Sequence, residues 1–281
     1  GPSIDGLFEE PSDWDAVERS ADRAPEEKST LAPVRGFAVL RTGKGSERAA
    51  LFFDYGFGHT AHGHGDRLNI NLFAGGRELI PEMGYPEYMD HIAPATGGWT
   101  THTVSHATME VDEKRQLSGV SGDLHYFADL DGIKAVEASC EDAFSWRGVD
   151  RYRRTLLLID IPGGAYAVDL FRVRGGKRHD WLFHGPTGEL AIEGTGLSEP
   201  APGTLAGPDV AFGTVPKDMQ PYDRNNSGYQ YLYDVRTCRA DSAITAVWTM
   251  PDGLRFRSVF VPEGIETFIR ASGYPRPATK S

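Results

Sequence analysis

The stretch GHTAHGHGDRLNINL, residues 58–72, places His59, His62, His64 and Asp66 in one glycine-broken segment that then runs into apolar/polar alternation. In extended backbone, residues i and i+2 point to one side, so His62 and His64 project together and Asp66 can join them. Two imidazoles on one face form half of a zinc site, and a third ligand has to come from elsewhere in the fold. Glu82, in ELIPEMGYPEY, is the acidic candidate. His91, His102 and His106 are the imidazole candidates. His106 stands at the start of the alternating run HATMEV, which gives it a rigid mount. The set His64, Glu82 and His106 supplies two imidazoles and a carboxylate and leaves His62 free beside it. The competing reading, polar residues satisfied at a strand end, stays open on spacing alone. The usual cupin pattern has a glutamate three or four residues after H-x-H, and Leu68 and Asn69 in those places count against a cupin.

These side chains need strands to hold them. GFAVLRTG, RAALFFDYG, RLNINLFAGGREL, ATMEVDEKRQ, HYFADLDG, IKAVEASCEDAF, RYRRTLLLIDIPGG, AYAVDLFRVRGG, AITAVWTMPDG and LRFRSVFVPEG each alternate or run apolar and end in turn residues. Asp131-Gly132 and Asp252-Gly253 are hairpin signals. Strands at this spacing, with little helical periodicity between them, predict an all-β chain folded as a large antiparallel β-sandwich. Residues 185–230, rich in Gly and Pro, read as a long surface excursion. Residues 1–33 are polar and acidic and read as an arm or linker, in which PSDWDAVERSADRA can start a short helix capped by Ser12 or Asp13. The sandwich is expected over residues 34–281.

The 281-residue length suits such a domain, and 40% hydrophobic with 25% charged residues is ordinary for a globular protein. The net charge of −11 disfavours nucleic acid and anionic membranes as partners. No run of about 18 apolar residues is present. The opening GPSIDG lacks the regions of a signal peptide, and Gly1-Pro2 reads as a tag scar, so an authentic N-terminus is expected to be missing. Cys140 and Cys238 form either one bridge or, on the simpler reading, two free thiols.

The ordered block HGHGDRLNINLFAGGRELIPEMGYPEY, followed by THTVSHATMEVDEKRQ, resembles the C-terminal β-sandwich of the heparinase II/III-like polysaccharide lyases. That group includes heparinase II, heparinase III and the oligoalginate and exo-alginate lyases. The family's H-x-H-x-D is matched by His62-Gly63-His64-Gly65-Asp66. Its glycine-turn, acid and tyrosine are matched by Gly76, Glu82, Gly84 and Tyr88. Its HNTV-x-V-D segment with a later glutamine is matched by residues 106–112 and Gln116. HDWLFHG, residues 179–185, is similar to a further sandwich segment. The departures are Glu82 where the family has aspartate and Ala107 where it has asparagine.

The resemblance implies residue roles. His62 is the catalytic histidine; His64, Glu82 and His106 hold Zn2+; Tyr88 is on the substrate side; Asp66 is a supporting acceptor. His179 and His184 belong to strand packing or local hydrogen bonds, and His59 is exposed. The implied reaction is β-elimination on a uronic-acid polysaccharide of alginate or glycosaminoglycan type. The zinc would brace the cleft wall. The family's N-terminal (α/α) toroid, which carries a proton-donating tyrosine, has no counterpart among the strand patterns here. The full-length protein is therefore expected to supply the toroid, and this chain to be incomplete as an enzyme. The resemblance also implies an acidic polysaccharide or oligosaccharide as partner; a second copy in a homodimer is an open option, and the acidic charge argues for no nucleic acid and no membrane. The implied location is periplasmic or secreted. Arg67, Arg77, Lys114, Arg115, Arg151, Arg153 and Arg154 are candidates for a basic face toward an acidic substrate. The alternative functions are a non-catalytic carbohydrate-binding or structural sandwich stapled by zinc, and a metal-dependent hydrolase or oxygenase.

Overall fold

In the computed structural model the described residues are 28–57, 63–82, 84, 98–215, 217–218, 223–264 and 266–273. Two antiparallel sheets face each other over the main core. The first is a five-stranded meander of β1 (Thr30–Ala32), β2 (Phe37–Thr42), β3 (Ala49–Asp54), β4 (Asn69–Ala74) and β5 (Arg77–Ile80), in spatial order 1-2-3-4-5. β6 (Met109–Val111) lies outside both. The second sheet holds β7 (Asp123–Leu130), β8 (Ile133–Ser139), β9 (Arg151–Ile161) and β10 (Gly164–Arg174), in order 10-9-8-7. Alternation explains the layering. Ala49, Leu51 and Phe53 of β3 are buried while the residues between them are half-exposed. Tyr152, Arg154, Leu156 and Leu158 of β9 do the same from the other side. Leu40, Leu51, Phe53, Val136, Phe144, Leu156 and Leu158 fill the space between the sheets.

Beyond this sandwich, β6 pairs with β11 (His179–Trp181). A three-stranded sheet holds β12 (Glu189–Glu193), β14 (Ile244–Thr249) and β15 (Arg255–Phe260), and a two-stranded one holds β13 (Tyr233–Ala240) and β16 (Glu266–Ser272). A smaller core of Trp99, Val104, Tyr229, Tyr231 and Leu232 lies here. No helix among the described residues is long and apolar enough to cross a membrane.

The expected all-β architecture is present, and all ten strand-like segments contain a strand. Leu130 pairs with Ile133 across Asp131-Gly132. The Asp252-Gly253 hairpin is longer than a two-residue turn, since Thr249 pairs with Arg255. Gly75 and Gly76 both take positive φ, at +58° and +68°, as the tight β4–β5 turn requires.

Several expectations are corrected. The run ATMEVDEKRQ is a strand only to Val111, because Asp112 and Glu113 turn to φ +56° and +57°. The Asp112 carboxylate holds that turn by accepting from the Lys177 and Arg178 amides at 2.6 and 3.0 Å. The excursion over 185–230 contains β12, paired with β14. The first sheet begins ahead of residue 34, since Thr30–Ala32 pairs with β2. The helix anticipated in the N-terminal arm falls on residues outside the described ones. The simpler reading of the cysteines holds, since both are free thiols, with Cys140 buried. The seven cations do not form one free basic face, although Arg151 is exposed. Arg67, Arg115 and Arg154 are buried; Arg77 pairs with Asp252 at 2.7 Å; Arg153 pairs with Glu137; Lys114 donates to the Asn225 carbonyl at 3.3 Å.

Candidate metal centre

The polar side of β4 is not solvated. Its even positions, Ile70 and Leu72, join the main core, while Asn69 and Asn71 are buried on the opposite side. Asn69 meets the segment leading into β6, and its Oδ1 accepts from the Ala107 amide at 2.9 Å. Its Nδ2 donates to Glu82 Oε2 at 2.7 Å. Asn69 thus ties the residue after His106 to the carboxylate that follows β5.

Three chain segments converge there. His64 precedes the turn into β4. Glu82 lies two residues past β5. His106 follows a 3-10 turn at Thr103–Ser105, capped by His102 through its Nδ1 and the Val104 amide. His106 Nδ1 is 3.2 Å from Glu82 Oε2, His64 Nδ1 is 3.9 Å from Glu82 Oε1, and the two imidazole rings are 5.1 Å apart. One donor atom from each residue lies within 4.8 Å of the others. A tetrahedral zinc with bonds near 2.1 Å spaces its donors by about 3.4 Å, so small side-chain movements close the set.

The electrostatics leave His64 and Glu82 in metal-ready forms and favour the proton on His106. Burial, and then the nearby His106, lower the His64 pKa to about 4, which leaves a neutral imidazole with a lone pair. Burial opposes ionisation of Glu82, yet His106, His64 and Asn69 pull its pKa down to about 2. Burial also opposes charge on His106, but Glu82 outweighs it and raises the imidazole above its ordinary value. A cation accepted by all three groups would displace that proton.

The backbone around the donors is braced from the core. Leu68 is fully buried with φ +62°, a strained value for a branched side chain. Arg154 Nη1 donates to the Leu68 and Ala107 carbonyls, each at 2.5 Å, and its other nitrogens form a two-pronged pair with Asp169. Gln116 accepts from the Arg67 amide at 2.6 Å and donates to the Tyr152 hydroxyl at 2.7 Å. Tyr152 in turn donates to the Met109 carbonyl at 2.6 Å.

Of the residues singled out from sequence, His64, Glu82 and His106 come together. His59, His62, Tyr88 and His91 lie outside the described residues. Asp66 pairs with Arg67. His102 stays apart from the donor set, with Nε2 2.8 Å from the Asn226 carbonyl, and burial holds it well below its ordinary pKa. His184 and His179 bond to the Val104 and Gly175 carbonyls at 2.9 and 2.7 Å. The sequence reading missed Asn69, whose signal was a polar residue in a strand apolar on its other face, and treated Arg154 only as a surface cation.

Near this centre Glu110 is fully buried, and neither carboxylate oxygen has a hydrogen bond of ordinary geometry. Burial, and then Asp180, raise its pKa well above the usual carboxylate range. A carboxyl with a raised folded-state pKa gives its full stability below the unfolded value and loses it as pH rises through the folded value. Glu110→Gln is therefore expected to gain stability over the parent at pH 8, with the gap shrinking toward pH 4.5. Urea midpoints at the two pH values check this, and a gap that does not depend on pH would contradict it.

The comparisons with known proteins agree with this frame. The family model for the heparinase II/III-like C-terminal domain matches residues 24–201, more than half the chain and all three donors. An exo-oligoalginate lyase of Saccharophagus degradans is 26% identical over 154 residues, covering 50% of this chain and 21% of that protein. An alginate lyase of Stenotrophomonas maltophilia is 29% identical over 168 residues, covering 53% and 22%. The chain thus spans about a fifth of the length of these relatives. A solved heparinase III structure superposes with a TM-score of 0.52 at 14% identity, over 89% of this chain and 37% of that one, and so shares the fold. With the family model spanning both main sheets and the donor set, the chain belongs to the heparinase II/III-like family, whose C-terminal β-sandwich domain it carries.

Proposed function

We propose that this chain is the sandwich portion of a lyase that cleaves a uronic-acid polysaccharide by β-elimination. The observation that carries the reading is the convergence of His64, Glu82 and His106 inside the region matched by the family model. The names of the two alginate lyase relatives favour a polyuronate as substrate. His64, Glu82 and His106 would hold zinc. When bound, the zinc supplies a fixed positive charge that braces the cleft wall.

His62 stands two residues before His64, so a fixed His64 limits where the His62 backbone can go. In the proposed reaction His62 either takes the C5 proton or, with the other epimer, neutralises the adjacent carboxylate while the toroid's tyrosine takes that proton. The C–H electrons become the C4–C5 double bond, and the C4–O bond breaks. The leaving oxygen takes a proton from a tyrosine, which this reading places on a toroid domain of the full-length protein. Tyr88 would contact substrate from the sandwich side. Action on a polymeric substrate outside the cytoplasm would place the protein in the periplasm or among secreted proteins.

The test is the absorbance of the unsaturated product when full-length protein meets alginate and heparan sulfate separately. His62→Ala is expected to lower the rate by about 10²–10⁴-fold, the usual contribution of a positioned acid–base group. Unsaturated product formed equally well without His62 would refute its role. No product from either polymer would favour the alternative, a carbohydrate-binding or structural sandwich.

A further inference from the structure

The two edges of the four-stranded sheet are built differently. The β7 edge is interrupted by a register shift between Leu124 and Tyr126, and the Ser29 amide donates to Asp129 there at 3.2 Å. Bulges and capping contacts of this kind keep an edge from pairing with another chain. β10 has neither. It pairs with β9 over eleven residues without a shift, and among the described residues no strand pairs with its other side.

The backbone groups on that open side can be identified. The Cys140 amide donates to the Tyr152 carbonyl at 2.9 Å, and the Asp160 amide to the Gly132 carbonyl at 3.0 Å, so the even residues of β9 bond toward β8. Antiparallel ladders alternate, so the odd residues of β9 bond toward β10. Leu157 is opposite Val168, which turns the even residues of β10 toward β9. Ala165, Ala167, Asp169, Phe171 and Val173 therefore present their amides and carbonyls outward. Tyr166 and Leu170 are 48% and 51% exposed, and the arginines of β10 are confined to its last three residues.

We propose that β10 pairs antiparallel with β10 of a second copy of this chain, about a twofold axis at Val168. The two four-stranded sheets then become one continuous sheet. In this register Tyr166 stands opposite the partner's Leu170 and Val168 opposite the partner's Val168. Asp169 stands opposite the partner's Ala167, and Arg172 opposite the partner's Gly164. No like charges oppose each other. Moving the axis to Asp169 sets two carboxylates against each other, and moving it to Ala167 leaves Leu170 opposite a glycine. A twofold contact uses the same patch on both copies, which fits a strand that complements itself. This inference is independent of the lyase reading.

Sedimentation of this chain over a wide concentration range tests the proposal. The average mass is expected to rise toward that of a dimer. Ala167→Pro removes an outward amide and no bond to β9, so it should weaken dimerisation by about tenfold or more with the melting temperature little changed. The double variant Tyr166→Lys with Leu170→Lys, on exposed positions, should do the same by setting cations opposite each other. It also keeps the test decisive if the proline variant misfolds. A parent that stays monomeric at every concentration, or a dimer that survives the lysine pair unchanged, overturns the proposal.

Discussion

Arg154→Met is expected to lower stability by about 3–5 kcal/mol, the usual loss when one partner of a buried ion pair is removed. The Arg154 side chain is fully buried, and that of Asp169 is 17% exposed. Methionine fills much of the same volume, so the loss comes from polar groups left behind rather than from a cavity. The Asp169 carboxylate loses both of its prongs, and the Leu68 and Ala107 carbonyls lose their shared donor. Leu68 also loses the contact that holds it at positive φ, a conformation costing roughly 1–2 kcal/mol. Denaturant unfolding measures the effect, and a loss below about 1 kcal/mol would show that these bonds contribute little net energy. Adding Asp169→Leu should recover part of the loss, since burying neither charge is cheaper than burying one. The same substitution should loosen metal binding, because Ala107 adjoins His106.

The strands were legible because each carries its own signal. Leu51 and Phe53 alternate with half-exposed neighbours, and Gly75-Gly76 can take the positive φ of a tight turn. β13 was missed because YDVRTCRA spreads polar and charged residues over both faces, so no period of two stands out. β12 was hidden in a Gly- and Pro-rich stretch whose composition outweighed five strand residues. Residue types nominated His64, Glu82 and His106 as one possible donor set, and the order of the family motif singled it out over His91 and His102, since spacing alone did not reveal that they meet. Arg154 shows the opposite limit. RYRRTLLLIDI carries three arginines, and only the register of β9 decides that Arg154 points inward to Asp169 while Arg153 points outward to Glu137. That information is tertiary, and a local window does not contain it.

Under the proposed zinc assignment, His64→Ala and His106→Ala should each abolish stoichiometric zinc. Each removes one of the three side-chain donors that converge among the described residues, and alanine offers no replacement. Asn69→Ala should weaken zinc by about 10–100-fold without abolishing it, because Asn69 orients Glu82 and the Ala107 amide but donates nothing to a cation. Metal that binds only the folded chain stabilises it by about 2.7 kcal/mol at a hundredfold excess over its dissociation constant. For a domain of this size that corresponds to a melting shift of roughly 5–10 °C, and the shift should vanish in the two histidine variants. Metal analysis after dialysis, paired with melting curves with and without added zinc, separates the outcomes. Undiminished zinc in both histidine variants would sink the ligand assignment. Lost zinc with no change in melting would keep the ligands but deny the metal its bracing role. Lost zinc with a lowered melting temperature would place the ion where Glu82 is held by Asn69 and His106, beside a backbone that Arg154 anchors to the core.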